Sequence, residues 1–291
     1  MAAGASIGTG ASAAAAGPLV TRKIPSSGEA IPALGLGTSG PFEVGNSAKD
    51  REPLKEVLSA FFAAGGRLID TSPMYSTAEA VLGDLLTSSM QEKVFLATKV
   101  WTRGQAEGVE QMKHSGQALK HPKLDLIQVH NLLDLDTHLK TLRAWKDEGR
   151  VRYIGITHYT VSSQSDLARV IEREKLDFVQ LNYSATTRDA EKRLLPLAAD
   201  RGVAVLVNRP FEDGKMFQSV SGQPLPPWAA DLDCTSWGQI FLKYVLSHPA
   251  VTCAIPATGK LKHLQDNLAG ARGRLPDAKQ RALIVKELDG T

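Results

Sequence analysis

The chain has 291 residues, 43% of them hydrophobic and 22% charged, ordinary proportions for a soluble globular protein. Its 34 basic and 31 acidic side chains leave a formal charge of only +3, too small and too evenly scattered to suit a nucleic-acid partner. No apolar run approaches the ~20 residues that span a bilayer, so no membrane partner is expected.

The first twenty residues, MAAGASIGTGASAAAAGPLV, are rich in Ala, Gly and Ser and carry no charged side chain. Such a stretch offers little to pack, so residues 1–20 are expected to be disordered and outside the fold. The basic start of a secretory leader is missing, which points to a cytoplasmic protein. The Ala tract before Gly17-Pro18 resembles a clipped export leader and makes export the alternative.

Residues 21–291 read as one domain. TRKIPSSGEAIPAL suggests two short strands around a Ser26-Ser27-Gly28 turn, a small hairpin. Apolar, often β-branched runs then recur at 34–38 (LGLGT), 67–72 (RLIDTS), 94–100 (VFLATKV) and 124–130 (LDLIQVH). Four more lie at 151–157 (VRYIGIT), 178–184 (FVQLNYS), 204–210 (AVLVNRP) and 252–258 (TCAIPAT). Most start one βα unit apart, and several are apolar at consecutive positions, as in strands buried on both faces.

Helical patterns fill the gaps. Leu54, Val57, Leu58, Phe61 and Phe62 form a stripe from Pro53 to Ala64, stopped by Gly65-Gly66. Leu139, Leu142 and Trp145 share a face between Thr137 and Glu148. Ser165 opens a further helix, and Asp189 another that runs past Pro196. A Pro-rich loop, 221–228, precedes a helix over 236–247.

Eight strands alternating with helices predict an α/β fold, a single (β/α)8 TIM barrel with an N-terminal β-hairpin and a C-terminal helix. An open doubly wound sheet would need its glycine-rich turn to run straight into a helix. Gly35, Gly37 and Gly40 have that spacing, but Pro41 follows at once.

In a barrel the functional groups sit where strands end. The second to fourth runs end in Asp70, with Tyr75 in the next loop, then Lys99, then His130. Asp and Lys are poor strand residues, so their place inside apolar runs needs a reason. Each alone could be structural, but together they suit carbonyl reduction. A hydride arriving at a carbonyl carbon leaves negative charge on oxygen, which a nearby acid must neutralise. Tyr75 is the candidate acid, with its pKa brought down by Lys99. Asp70 keeps that lysine charged, and a neutral His130 orients the substrate oxygen.

LGLGT, GGRLIDTSPMYSTAEAVLG, FLATKV, DLIQVHN and IPAT, in this order from about residue 21 to 290, resemble the aldo-keto reductase superfamily. The resemblance implies a catalytic tetrad of Asp70, Tyr75, Lys99 and His130, an NADPH cofactor (NADH as the alternative), no metal, and a monomer acting on small carbonyl compounds. It also implies cofactor contacts from Gly37, Thr38 and Asp70 on the nicotinamide–ribose side, and from Thr157 and Gln180 at the carboxamide. The chain departs from the family pattern at three places. His158 stands where Asn is usual, and Asn208 where an aromatic ring stacks on the nicotinamide, with Arg209, Pro210 and Phe211 next to it. Ala257 replaces the usual lysine, leaving Thr258, Lys260, Lys262 and His263 at a helix start for phosphate, with Asn267 near the adenine. Trp101, Phe42 and Trp228 are candidate substrate-pocket walls. These departures motivate a second reading, a cofactor-binding regulatory or redox-sensing module with negligible turnover.

His114, His121, His138 and His248 show no metal-ligand spacing. Cys234 and Cys253 read as small buried thiols rather than a disulfide.

Overall fold

The computed structural model describes residues 17–121 and 123–290. The disorder expected for the tail therefore falls, over residues 1–16, outside the described residues. The chain forms a hairpin, β1 (Thr21–Lys23) and β2 (Ala30–Pro32), whose strands pair antiparallel. Parallel strands follow as β3 (Leu36–Gly37), β4 (Leu68–Asp70), β5 (Phe95–Val100) and β6 (Leu124–His130). They continue as β7 (Val151–Thr157), β8 (Phe178–Asn182), β9 (Ala204–Asn208) and β10 (Val251–Ala254), side by side in chain order.

The helices packed around them begin with α1 (Ala48–Ala63), α2 (Ala78–Leu85), α3 (Ser88–Gln91) and α4 (Gln105–Ala118). Next come α5 (Leu135–Asp147), α6 (Gln164–Arg173), α7 (Leu194–Asp200) and α8 (Lys215–Ser219). The series ends with α9 (Trp237–Ser247), α10 (Leu261–Gly270) and α11 (Ala278–Asp289). Side-chain caps fix several starts. Ser47 accepts from the Asp50 amide, Ser236 from that of Gln239, and Asp277 and Gln280 form a capping box.

The sheet comes back on itself at β3 and β10. The Gly35 amide donates to Ala254 O at 2.8 Å, the Ala254 amide to Ala33 O at 2.8 Å, and the Gly37 amide to Pro256 O at 3.1 Å. This is the predicted (β/α)8 barrel with its hairpin. Inside it, Phe95, Tyr153 and Phe178 pack ring to ring, with centroids 5.5–6.0 Å apart. Ile24 and Ile31 of the hairpin join this inner cluster and plug the N-terminal end of the barrel. A larger apolar layer lies between the strands and the helices. Burial on both faces explains why β5, β6 and β8 carry apolar residues in succession.

Two boundaries differ from expectation. The fold begins before residue 21, because Leu19 is buried and the Val20 amide donates to Ala271 O at 2.9 Å. The helix expected from Asp189 is broken into a 3-10 turn, Asp189–Lys192, followed by α7. Restarting at Leu194 puts Pro196 in the first turn of α7, where its missing N–H costs no helical hydrogen bond. Both cysteines are buried and free.

Candidate active site

The period-two alternation of a strand sends every second residue to the barrel axis. In β4, β5 and β6 the inward series are Leu68–Asp70, Phe95–Ala97–Lys99 and Leu126–Gln128–His130. In β7, β8 and β9 they are Tyr153–Gly155–Thr157, Phe178–Gln180 and Ala204–Leu206–Asn208. Each begins in the apolar plug and ends in polar residues at the C-terminal rim. Asp70, Lys99, His130, Thr157, Gln180 and Asn208 therefore share one mouth by register alone.

At the centre lies a buried ion pair. Lys99 Nζ donates to Asp70 Oδ2 at 2.6 Å and to Thr71 O at 2.7 Å, with both charged side chains 3% exposed or less. Asp70 Oδ1 accepts from Gln128 Nε2 at 3.0 Å and Gln180 Nε2 at 2.9 Å, so both carboxylate oxygens are hydrogen-bonded. Thr38 Oγ1 donates to Asp70 O at 3.0 Å. Burial alone would lower the Lys99 pKa, but the attraction of Asp70 and then Tyr75 outweighs it, and the ammonium is held above the ordinary lysine value.

Tyr75 is placed by the tight turn after β4, its amide donating to Ser72 O at 3.0 Å. Its ring centroid lies 4.9 Å from Lys99 Nζ and 6.1 Å from the His130 ring, which it meets edge-on. Burial is the largest influence on the phenol and raises its pKa. Lys99 acts second and lowers it, and Asp70 raises it again. The net direction is upward, opposite to the lowering expected from the lysine alone, because the desolvated site disfavours a phenolate more than Lys99 favours it. His130 is pushed down to about 3, first by burial and then by Lys99 and His158, so its imidazole is neutral near pH 7.

Asp70, Tyr75 and His130 line a cavity of about 1180 Å³, beyond the ~300–1,000 Å³ of an ordinary small-ligand pocket. Gly37, Thr38, Thr157, Gln180, Asn208, Arg209, Pro210, Phe211, Thr258, His263, Asn267 and Trp101 line it as well. A smaller concavity near Met112 and Trp145 is edged by Lys113 and Lys120, which pair with Glu110 and Asp84. No acid–base constellation converges there.

Several expected residues lie elsewhere. Phe42 is fully buried in the core between barrel and helices, so it anchors its loop instead of forming a pocket wall. Trp228 packs against the same core and does not line the cavity. The side chain of His158 is turned into its own loop. Nδ1 accepts from the Tyr159 and Thr160 amides, and Nε2 lies 3.1 Å from Ser163 Oγ, which leaves no ring nitrogen for a ligand. Lys260 precedes α10 without a side-chain capping bond and Lys262 is exposed, and neither lines the cavity. Among the described residues, the basic side chains that line it are Arg209, paired with Asp213, and His263.

Other residues were not anticipated. Gln128 is one, although its place two residues before His130 in an apolar run marks it as inward-facing. Tyr159, two residues past the fifth run, is 48% exposed at the mouth beside Met74, Trp101 and Phe217. Asn131 and Asp266 also line the cavity. Nothing in a loop sequence distinguishes such residues from solvated ones.

A nicotinamide dinucleotide is compatible with this lining. The cavity exceeds the needs of a small substrate, and it holds buried polar atoms without a protein partner, Asn208 Oδ1 and Asn131 Oδ1. Asn208 Nδ2 meanwhile donates to His158 O and Gln180 Oε1, both at 3.3 Å, so this side chain is a hydrogen-bonding group rather than a stacking surface. Among the described residues there is no cluster of three or more His, Cys, Asp or Glu suited to a metal ion. Nor is any described helix long and apolar enough to cross a membrane.

Comparison with known proteins identifies the family and the fold. The sequence model of the Aldo/keto reductase family matches residues 33–284. Methylglyoxal reductase YeaE of Escherichia coli (strain K12) is 27% identical over 256 residues, 86% of this chain and 88% of that protein. An aldo-keto reductase from Klebsiella pneumoniae, solved in complex with NADPH, superposes with a TM-score of 0.78 at 23% identity, over 93% of this chain and 96% of that one. The thermostable aldo-keto reductase Tm1743, in complex with the inhibitor epalrestat, gives a TM-score of 0.77 at 25% identity, over 92% and 99% of the two chains.

Proposed function

This chain belongs to the aldo/keto reductase family, and on that premise we propose that it reduces an aldehyde or ketone to the alcohol, with NADPH as hydride source and Tyr75 as proton donor. The carrying observation is the buried Asp70–Lys99 pair beneath a half-buried tyrosine and a neutral histidine, with Asp70, Tyr75 and His130 lining one cavity. Gly37, Thr38, Thr157, Gln180 and Asn208 hold the nicotinamide half of the cofactor, and Thr258, His263 and Asn267 the adenosine half. The NADPH found with the Klebsiella pneumoniae enzyme and the carbonyl substrate in the name of YeaE support this reading.

Bound there, the cofactor supplies a hydride to the carbonyl carbon. The protein's part is to stabilise the oxygen as charge develops. Tyr75 Oη gives up its proton, and Lys99 lies close enough to stabilise the phenolate left behind. Asp70 holds that ammonium in place and charged. Trp101, Met74, Tyr159 and Phe217 form an apolar rim for the substrate.

The purified protein should consume NADPH in the presence of an activated aldehyde such as a nitrobenzaldehyde. Tyr75→Phe should lower kcat by ~10²–10⁴, the usual worth of a positioned acid, with NADPH affinity unchanged. Full turnover in that variant would remove Tyr75 from its role. His158, turned away, and Lys260 and Lys262, off the cavity, favour a second reading, a cofactor-binding regulatory module. Tight NADPH binding without turnover across a broad carbonyl panel would select it. Titration of NADPH against NADH by fluorescence quenching tests the adenosine-end contacts directly.

A further inference from the structure

Ser72, two residues past β4, is fully buried, and its hydroxyl lies 3.2 Å from Nδ1 of His130. The same Oγ accepts the Met74 amide at 3.3 Å. A hydroxyl has one proton and two acceptor positions, whereas a neutral imidazole has one donor nitrogen and one acceptor nitrogen. If Nδ1 carried the ring proton, Oγ would accept twice and its own proton would be buried with no acceptor, since these are its hydrogen bonds among the described residues. Leaving a buried donor unmade costs more than the bond itself contributes. The network is satisfied when Ser72 donates to Nδ1 and the ring proton sits on Nε2. That nitrogen has no protein partner among the described residues, and the ring lines the cavity beside Tyr75 and Trp101.

We propose that Ser72 is a positioning residue that holds His130 as the Nε2–H tautomer, so that the ring offers the substrate carbonyl oxygen a donor and not a lone pair. The oxygen then meets two donors, Tyr75 Oη–H and His130 Nε2–H, both suited to developing negative charge. With the wrong tautomer a lone pair would face that charge. The inference rests on the carbonyl-reductase reading for its consequence, though not for the tautomer itself.

The test is nitrogen NMR of the full chain with isotope-labelled histidine, with the His130 signals identified by their loss in His130→Asn. Wild type should show Nε2 protonated and Nδ1 as a hydrogen-bonded acceptor. Ser72→Ala should shift the Nδ1 resonance and lower kcat/KM about threefold to tenfold, the worth of one neutral hydrogen bond, with NADPH affinity unchanged. Ser72→Thr, which keeps the hydroxyl, should retain the wild-type signature. Protonated Nδ1 in wild type overturns the proposal, as does a Ser72→Ala protein with unaltered His130 signals and kcat/KM, or loss of the signature in Ser72→Thr. The wild-type spectrum decides even if Ser72→Ala does not fold. Because it needs no turnover, an inactive wild type would count against the reductase reading alone.

Discussion

Tyr75 is held as a phenol more firmly than a neighbouring lysine alone would allow, and this sets the direction of its chemistry. Burial raises its pKa, Lys99 opposes that, and Asp70 adds to it. On the proposed reading, carbonyl reduction uses the protonated Tyr75 phenol, whereas alcohol oxidation needs its phenolate. Reductive kcat/KM should therefore stay level from neutral pH upward and fall only on the alkaline side of an ordinary tyrosine. Alcohol oxidation should keep rising over the same range. His130, at about 3, adds no limb near its ordinary value of 6.5. Lys99→Met removes the main influence lowering the phenol pKa, so the alkaline limb should move to higher pH. A limb that moves to lower pH would contradict this account of Tyr75. The variant should also lose about 3–5 kcal/mol of stability, because Asp70 is left buried without its cation. Adding Asp70→Asn should recover part of that stability in urea denaturation without recovering the rate.

Strands and glycines show what a sequence reveals about elements and what it hides. Asp70, Lys99 and His130 were readable because an Asp, a Lys and a His interrupt apolar runs at strand ends, where a barrel collects its polar groups. Asn208 was readable as a departure, but its bonds to His158 O and Gln180 depend on two other strands. Phe42 and Trp228 were misplaced because an aromatic residue in a loop has the same local sequence whether it faces a ligand or the core. Gly35 and Gly37 have the spacing of a dinucleotide turn, yet their physical reason is close packing, of Gly37 at the seam between β3 and β10 and of Gly35 against β4. A Cβ on Gly37 would lie 2.7 Å from Ile255 O, and one on Gly35 would lie 2.9 Å from Leu68 O. Backbone on both sides cannot give way as a flexible side chain would. Gly37→Ala should therefore cost about 1–3 kcal/mol and, because Gly37 also lines the cavity, weaken NADPH binding. A urea midpoint and a cofactor dissociation constant both matching wild type would show that the seam tolerates the methyl group.

Across the whole molecule, polarity is divided along the barrel axis, with an apolar plug at the hairpin end and a desolvated polar layer at the mouth. Burial withdraws several histidines from water, at the mouth and elsewhere in the fold. His130 is held at about 3, chiefly by burial. Burial also lowers His158, against the pull of Asp166, and lowers His248 together with Arg281, against Glu191. A histidine whose pKa is lower folded than unfolded binds protons preferentially in the unfolded chain. Its contribution to stability is complete above the unfolded value near 6.5 and is lost as pH falls toward the folded value. Asp84, Asp134, Glu174 and Glu191, whose pKa values are also depressed, lose theirs only below the ordinary carboxylate range. The interval between pH 6.5 and about 4.5 thus lies above those carboxylates; there the histidines are opposed by Glu79, whose pKa burial raises, so that it takes up its proton preferentially in the folded chain. The urea midpoint should fall steadily across it in wild type. His130→Asn has no proton to take up there and should flatten that fall, whatever its midpoint at pH 7.5. Equal slopes in wild type and variant would mean that His130 is not desolvated in the folded protein.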